Sequence, residues 1–177
     1  MCDDTLKIVF SLIENSTTPL VLDADALNCV AKQPEILLRK KAPIIITPHP
    51  GEMSRLTGLA TPLVNAERER VALDFAQKYG VVTVLKGAGT VIASPNGKVL
   101  VNPTGNSGMA TGGSGDVLAG MTASILAQGA SAFSSAAAAV YLHGLAGDIA
   151  AEKYGKISML PTDLINCIPL AYKRCGF

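Results

Sequence analysis

Apolar residues enter this chain in two arrangements, spaced stripes and short unbroken runs. Leu6, Ile8, Val9, Leu12 and Ile13 recur at helical spacing, which predicts an opening helix over 3–14. Pro19-Leu20-Val21-Leu22 is an unbroken run that stops at Asp23-Ala24-Asp25. Ile44-Ile45-Ile46 before Thr47-Pro48 repeats the design, and Val81 to Leu85 before Lys86-Gly87 repeats it again. A strand must be apolar on both sides when helices cover both faces of its sheet. Such runs alternating with helical stretches therefore predict a parallel sheet in an α/β protein. One of those stretches, 66–79, places Val71, Ala72, Phe75, Ala76 and Tyr79 on one helical face.

The pattern then changes. The runs Thr90 to Ala93 and Val99 to Val101 flank Ser94-Pro95-Asn96-Gly97-Lys98, and Asn-Gly between apolar runs predicts a β-hairpin. A glycine-rich loop, 105–115, precedes a helix carrying Val117, Leu118, Met121, Ile125 and Leu126 and ending at Gly129. Two further helices are predicted over 131–153 and 162–172, with Pro169 kinking or stopping the last. No repeat or linker interrupts 1–177, so a single domain is expected.

Composition narrows the function classes. Apolar residues make up 49% of the 177 and charged residues 16%, the balance of a packed core. The net charge is +1, and the most basic run, Arg39-Lys40-Lys41, reads as a solvated helix end, which argues against a nucleic-acid partner. Cys2, Cys29, Cys167 and Cys175 form no Cys-x-x-Cys pair, consistent with idle thiols in a reducing cytoplasm. The sparsely charged stretch 131–151 is rich in alanine and carries His143 and Asp148, so it reads as a packed helix and no membrane span is expected. In that helix His143-Gly144 reads as packing, as do Met109 and Met121 elsewhere.

In a parallel sheet, ligands bind beyond the C-terminal strand ends. Four polar clusters fall there: Asp23/Asp25, 47–52, 86–90 and 105–116. The last holds five glycines in twelve residues directly before a helix, so backbone amides and the positive end of the helix dipole can converge on an anion. No Gly-Lys-Ser/Thr follows, which excludes a Walker A loop. Asp116 at the helix start fits either an N-cap or a base beside the anion nest. Lys86 fits a surface lysine or a ligand contact. Glu52 fits a first-turn carboxylate or a magnesium ligand. Asp23 and Asp25, i and i+2 on a strand, share a face and call for a compensating cation or donor, with magnesium through water as one option and a structural role for either as another.

Thr111-Gly112-Gly113-Ser114-Gly115-Asp116 resembles the Gly-x-Gly-Asp signature of ribokinase-like kinases. The longer string 105–120, together with 21–28, Thr47-Pro48-His49-Pro50-Gly51-Glu52 and Lys86-Gly87-Ala88-Gly89-Thr90, resembles the NAD(P)H-hydrate dehydratases in family order. The resemblance implies a three-layer α/β/α fold with a mostly parallel sheet plus a hairpin. It implies an activity that repairs hydrated NADH or NADPH: a nucleotide, ADP or ATP, phosphorylates the ring hydroxyl, and loss of phosphate restores the ring. Bacterial members typically use ADP and eukaryotic ones ATP. In this chain it makes Asp116 the base, with Gly113, Ser114 and Gly115 amides around the migrating phosphoryl group. Lys86, Gly87, Ala88, Gly89, Thr90 and Gly115 would contact the nucleotide. His49 and Asp116 would contact the hydrated cofactor, and Asp23 and Glu52 would serve Mg2+. His49 to Glu52 has the spacing of the Asn-x-x-Glu motif of related kinases, with His in place of Asn.

Members of that family extend further on the N-terminal side. Met1-Cys2-Asp3-Asp4 aligns inside what would be their Gly-x-Gly-Leu-Gly loop, so the earlier strands of the fold, and the epimerase domain often fused upstream, are expected to be absent. An open sheet edge is expected, and with it self-association into a homo-oligomer. The competing readings are a ribokinase-like kinase for a small vitamin precursor, and a fragment that binds nucleotide without turnover.

Overall fold

The three unbroken apolar runs form the parallel half of one sheet. β1 (Leu20–Leu22), β2 (Ile44–Ile46) and β3 (Val82–Leu85) pair in chain order, with Val21 opposite Ile45 and Ile46 opposite Thr83. The predicted hairpin follows: β4 (Val91–Ala93) lies antiparallel to β3, and β5 (Val99–Val101) antiparallel to β4. The strand order is β1-β2-β3-β4-β5, so β1 and β5 form the two edges. The computed structural model describes residues 3–177; Met1 and Cys2, at the start of the expected Gly-x-Gly-Leu-Gly resemblance, lie outside the described residues.

Alternation of side chains along each strand divides the core in two. Leu22, Ile44, Ile46, Leu85, Val91 and Ala93 face one helical layer. That layer comprises α1 (Asp3–Asn15), α2 (Asp25–Val30), α3 (Pro50–Thr57), α4 (Thr61–Ala66) and α5 (Arg68–Tyr79). Ile45, Val82, Val84 and Ile92 face the other, formed by α6 (Ser114–Ala127), α7 (Ala132–Tyr154) and α8 (Pro161–Arg174). The result is the expected three-layer α/β/α arrangement. Burial on both faces explains the unbroken runs: all three isoleucines of β2 are at most 1% exposed, each contributing about 1.5–3 kcal/mol.

Three local expectations are corrected. The helix expected over 66–79 is the single helix α5 and starts two residues later, at Arg68, because Glu67, at φ −125° and ψ 42°, leaves helical geometry after α4 ends at Ala66. α8 continues through Pro169 to Arg174. Pro169 sits on the exposed side of α8, where water can satisfy the carbonyl freed by the missing amide. The helix after the glycine-rich loop starts at Ser114, two residues ahead of Asp116. Met121 is buried and Met109 packs against the same cluster, as read from the sequence. Among the described residues no helix is long and apolar enough to cross a membrane.

Candidate active site

At the end of β1 the chain turns sharply. The carbonyl of Asp23 accepts the amide of Ala26 at 3.1 Å, and Ala24 between them stands at φ 50°, ψ −119°. This is the first central position of a type II′ turn, which normally belongs to glycine. Because the turn reverses the backbone at Ala24, Asp23 and Asp25 do not share a face, contrary to expectation. Asp25 opens α2 and accepts a hydrogen bond from Asn28 Nδ2 at 3.3 Å. Asp23 goes elsewhere: its Oδ1 lies 2.7 Å from Lys86 Nζ, at the end of β3.

Glu52 reaches the same ammonium, with Oε2 3.9 Å from Lys86 Nζ. The two carboxylates expected to serve a magnesium ion thus converge on Lys86, which supplies the compensating charge. Glu52 also closes a reciprocal cap on α3. Its Oε2 accepts the amide of His49 at 2.7 Å, while His49 Nδ1 accepts the amides of Gly51 and Glu52 at 3.0 and 3.3 Å. An imidazole accepting at Nδ1 carries its ring proton on Nε2, and about half of the His49 side chain is exposed. That Nε2 lies 3.5 Å from Glu52 Oε1, and the rest of the ring stays open at the end of β2.

The 86–90 turn is held from several sides. The Lys86 amide donates to the Pro48 carbonyl at 2.8 Å, tying the ends of β2 and β3 together. Thr90 Oγ1 donates to the Gly87 carbonyl at 3.0 Å and closes the turn on itself. Below it, Arg68 Nη2 donates to the carbonyls of Leu85 at 2.8 Å and Gly89 at 3.5 Å.

The glycine-rich loop is anchored at its start by α7. The Gly105 amide donates to Asp148 Oδ2 at 2.9 Å, and Asn106 Nδ2 donates to Asp148 Oδ1 at 2.9 Å and the Gly147 carbonyl at 3.0 Å. Its middle lies under the connection from α7 to α8: a Cβ on Gly108 would stand 2.4 Å from the Lys156 carbonyl oxygen. Its end, with Gly113 at φ 97°, turns into α6 beside Lys86 and Asp23. A Cβ on Gly115 would stand 3.5 Å from Lys86 Nζ and 3.7 Å from Asp23 Oδ2. The loop and the strand ends therefore meet at one point.

Asp116 is the third residue of α6 and not its cap; the capping position belongs to Gly113. The carboxylate is exposed, makes no hydrogen bond or ion pair among the described residues, and borders a groove of about 550 Å³ between α6 and α8 with Val117, Met121, Ile165 and Tyr172. The Ser114 amide is engaged by the Thr111 carbonyl at 3.3 Å. The amides of Gly113, Gly115 and Asp116 have no acceptor among the described residues, so they are the ones free to meet an anion.

His143 reaches this turn from α7. Its Nε2 donates to the Ser114 carbonyl at 2.9 Å, and burial lowers its pKa to about 4, with the nearby Lys86 charge acting in the same direction. Its role is therefore more specific than helix packing, and at Gly144 an added Cβ would collide with Thr104, so that glycine lets the chain before the loop approach α7 closely. Arg68, Asp148 and the His143 contact were not anticipated as site-building features. A signal existed for two of them: a histidine and an aspartate in an otherwise apolar helix must find polar partners.

Among the described residues no group of three His, Cys, Asp or Glu could hold a metal ion. Magnesium carried by phosphates and water needs only one or two carboxylates. Asp23 Oδ2, facing Gly115, is not the oxygen paired with Lys86 and fits that outer role.

The family model for NAD(P)H-hydrate dehydratase matches residues 2–170. The chain belongs to the NAD(P)H-hydrate dehydratase family. It is 44% identical over 146 residues to the ADP-dependent (S)-NAD(P)H-hydrate dehydratase of Neisseria meningitidis, covering 81% of this chain and 49% of that protein. It is 45% identical over 170 residues to the bifunctional NAD(P)H-hydrate repair enzyme Nnr of Moorella thermoacetica, covering 96% of this chain and 32% of that one. The crystal structure of the ADP/ATP-dependent NAD(P)H-hydrate dehydratase of Bacillus subtilis, co-crystallized with ATP/Mg2+, superposes with a TM-score of 0.83 at 36% identity, over 92% of this chain and 57% of that one. The fold of this dehydratase-family chain is thus ribokinase-like, and the chain spans about half the length or less of the curated relatives named here.

Proposed function

We propose that the chain dehydrates hydrated NADH and NADPH at the expense of ADP or ATP. The observation that carries this reading is the meeting of Gly115 with the Lys86–Asp23 pair beside an exposed, unpaired Asp116. The names of the Neisseria and Bacillus relatives support the same chemistry.

The hydroxyl of the hydrated ring lies against Asp116, whose carboxylate takes its proton. The hydroxyl oxygen attacks the terminal phosphorus of the nucleotide, and the bond from that phosphorus to the bridging oxygen breaks, releasing AMP from ADP or ADP from ATP. The amides of Gly113, Gly115 and Asp116 hold the migrating phosphoryl group, with the dipole of α6 behind them. Lys86 to Thr90 hold the nucleotide, and His49 Nε2–H donates to the hydrated cofactor. The ring C–O bond then breaks with its electrons leaving on phosphate, a neighbouring ring carbon loses a proton, and the double bond of NAD(P)H returns. Asp23 would hold, through water, a magnesium ion brought by the nucleotide, which would supply charge neutralisation there.

The test supplies hydrated NADH with ADP or ATP and follows NADH absorbance. NADH formed only when nucleotide is present supports the reading. Nucleotide binding with no NADH from either nucleotide refutes turnover and leaves a binding fragment. Phosphorylation of a vitamin alcohol instead supports the kinase reading. We also propose that the protein is cytoplasmic and forms a homo-oligomer; light scattering measures the latter.

A further inference from the structure

Arg68 opens α5 and sends its guanidinium under the turn that follows β3. Nη2 bridges the carbonyl of Leu85, where the turn begins, and that of Gly89, near its end. Gly87 lies directly on the guanidinium: a Cβ there would stand 2.9 Å from Nη1 and 3.0 Å from Nη2, and Gly87 is at φ 151°. Only glycine allows both that backbone and that contact.

The charge of Arg68 is not cancelled. Among the described residues no carboxylate lies within ion-pair distance of it, and its buried Nε has no hydrogen-bond partner. The other buried cation of the site, Lys86, is matched by Asp23 and Glu52. A half-buried guanidinium held only by carbonyl dipoles leaves net positive potential beneath the turn. Burial accordingly lowers its pKa, with no acid to oppose the shift.

We propose that Arg68 is a positioning residue for the nucleotide: it fixes the spacing of the Leu85–Gly89 backbone that meets the phosphates, and its unmatched charge adds to their attraction. The inference rests on the assignment of 86–90 as the nucleotide turn. Arg68 works from below the turn, so it acts through geometry and field and needs no direct contact with the reacting atoms.

Calorimetric titration of ADP into the full chain tests it, with Arg68→Met, Arg68→Lys and Lys86→Ala compared at several salt concentrations. Arg68→Met is expected to weaken ADP binding about tenfold and to flatten the salt dependence of affinity. Arg68→Lys is expected to keep that salt dependence while recovering only part of the affinity, because an ammonium keeps the charge and loses the fork. Loss of packing alone would weaken binding equally at every salt concentration. Wild-type affinity and salt dependence in Arg68→Met, with weakened binding in Lys86→Ala, overturns the proposal and leaves the nucleotide turn standing. No ADP binding by the unaltered chain overturns both. If Arg68→Met melts before it can be titrated, the salt dependence of Arg68→Lys decides: kept with reduced affinity it supports the proposal, and unchanged affinity refutes it.

Discussion

Lys86 Nζ sits 2.7 Å from Asp23 Oδ1, joining the ends of β1 and β3 across 63 residues of sequence. Since the side chains of Lys86, Asp23 and Glu52 retain 20%, 12% and 7% of their exposure, this pairing is sheltered from water. Removing the lysine leaves two sheltered carboxylates without the cation they share. Lys86→Met is expected to destabilise the fold by about 1–3 kcal/mol and to weaken ADP binding. Combining it with Asp23→Asn should destabilise by less than the sum of the two single changes. Denaturant unfolding of the four proteins in this cycle checks the coupling; strict additivity would rule it out.

Among the described residues Asp116 has no partner to lose. Asp116→Asn should change stability by less than about 1 kcal/mol, the scale of its interaction with the α6 dipole. Turnover should fall by about 100- to 10,000-fold while ADP affinity stays within a few-fold, because the proposed role of the carboxylate is that of a base and not an anchor. Near-normal NADH formation in this variant would remove Asp116 from that role.

His143 makes acid stability informative. The folded protein refuses the imidazole proton down to about pH 4, whereas the unfolded chain takes it up near 6.5. Between these values the unfolded state binds more protons, so stability falls as pH drops through the window, by up to about 3 kcal/mol from this residue. Glutamine can offer an N–H at the position of Nε2 without titrating. His143→Gln should therefore lose less stability between pH 7 and pH 4 than the parent. Equal losses, read from urea midpoints, would mean that some other group controls the acid limb.

Ala24 occupies a glycine position while its side chain is exposed. Ala24→Gly relieves backbone strain without opening a cavity and is expected to raise stability by about 1 kcal/mol, net of the extra entropy of the unfolded chain. A lower melting temperature would show that the turn tolerates alanine at no penalty.

Legibility followed the range of the forces involved. β2 and β3 were readable because burial on both faces writes an unbroken apolar run, and the hairpin because Asn96-Gly97 has few other uses. Gly105 to Asp116 was readable because glycines before an apolar helix have a local meaning. Even there α6 starts three residues earlier than an Asp116 cap would require, which makes Asp116 the third helical residue and changes which amides are free. The relation of Asp23 to Asp25 was misread because a single torsion at Ala24 turns one toward Lys86 and the other toward Asn28, and alanine gives no hint of a type II′ turn. Arg68 and Asp148 hold backbone groups distant in sequence, with no spacing rule to announce them.

The close seat of Gly108 beneath the Lys156 carbonyl makes the crossover from α7 to α8 a roof over the loop proposed to cradle the phosphoryl group. Length or backbone changes in that outer crossover, far from any reacting atom in sequence, press straight onto the cradle. A segment that looks free to drift is thereby bound to the same tolerance as the chemistry it covers.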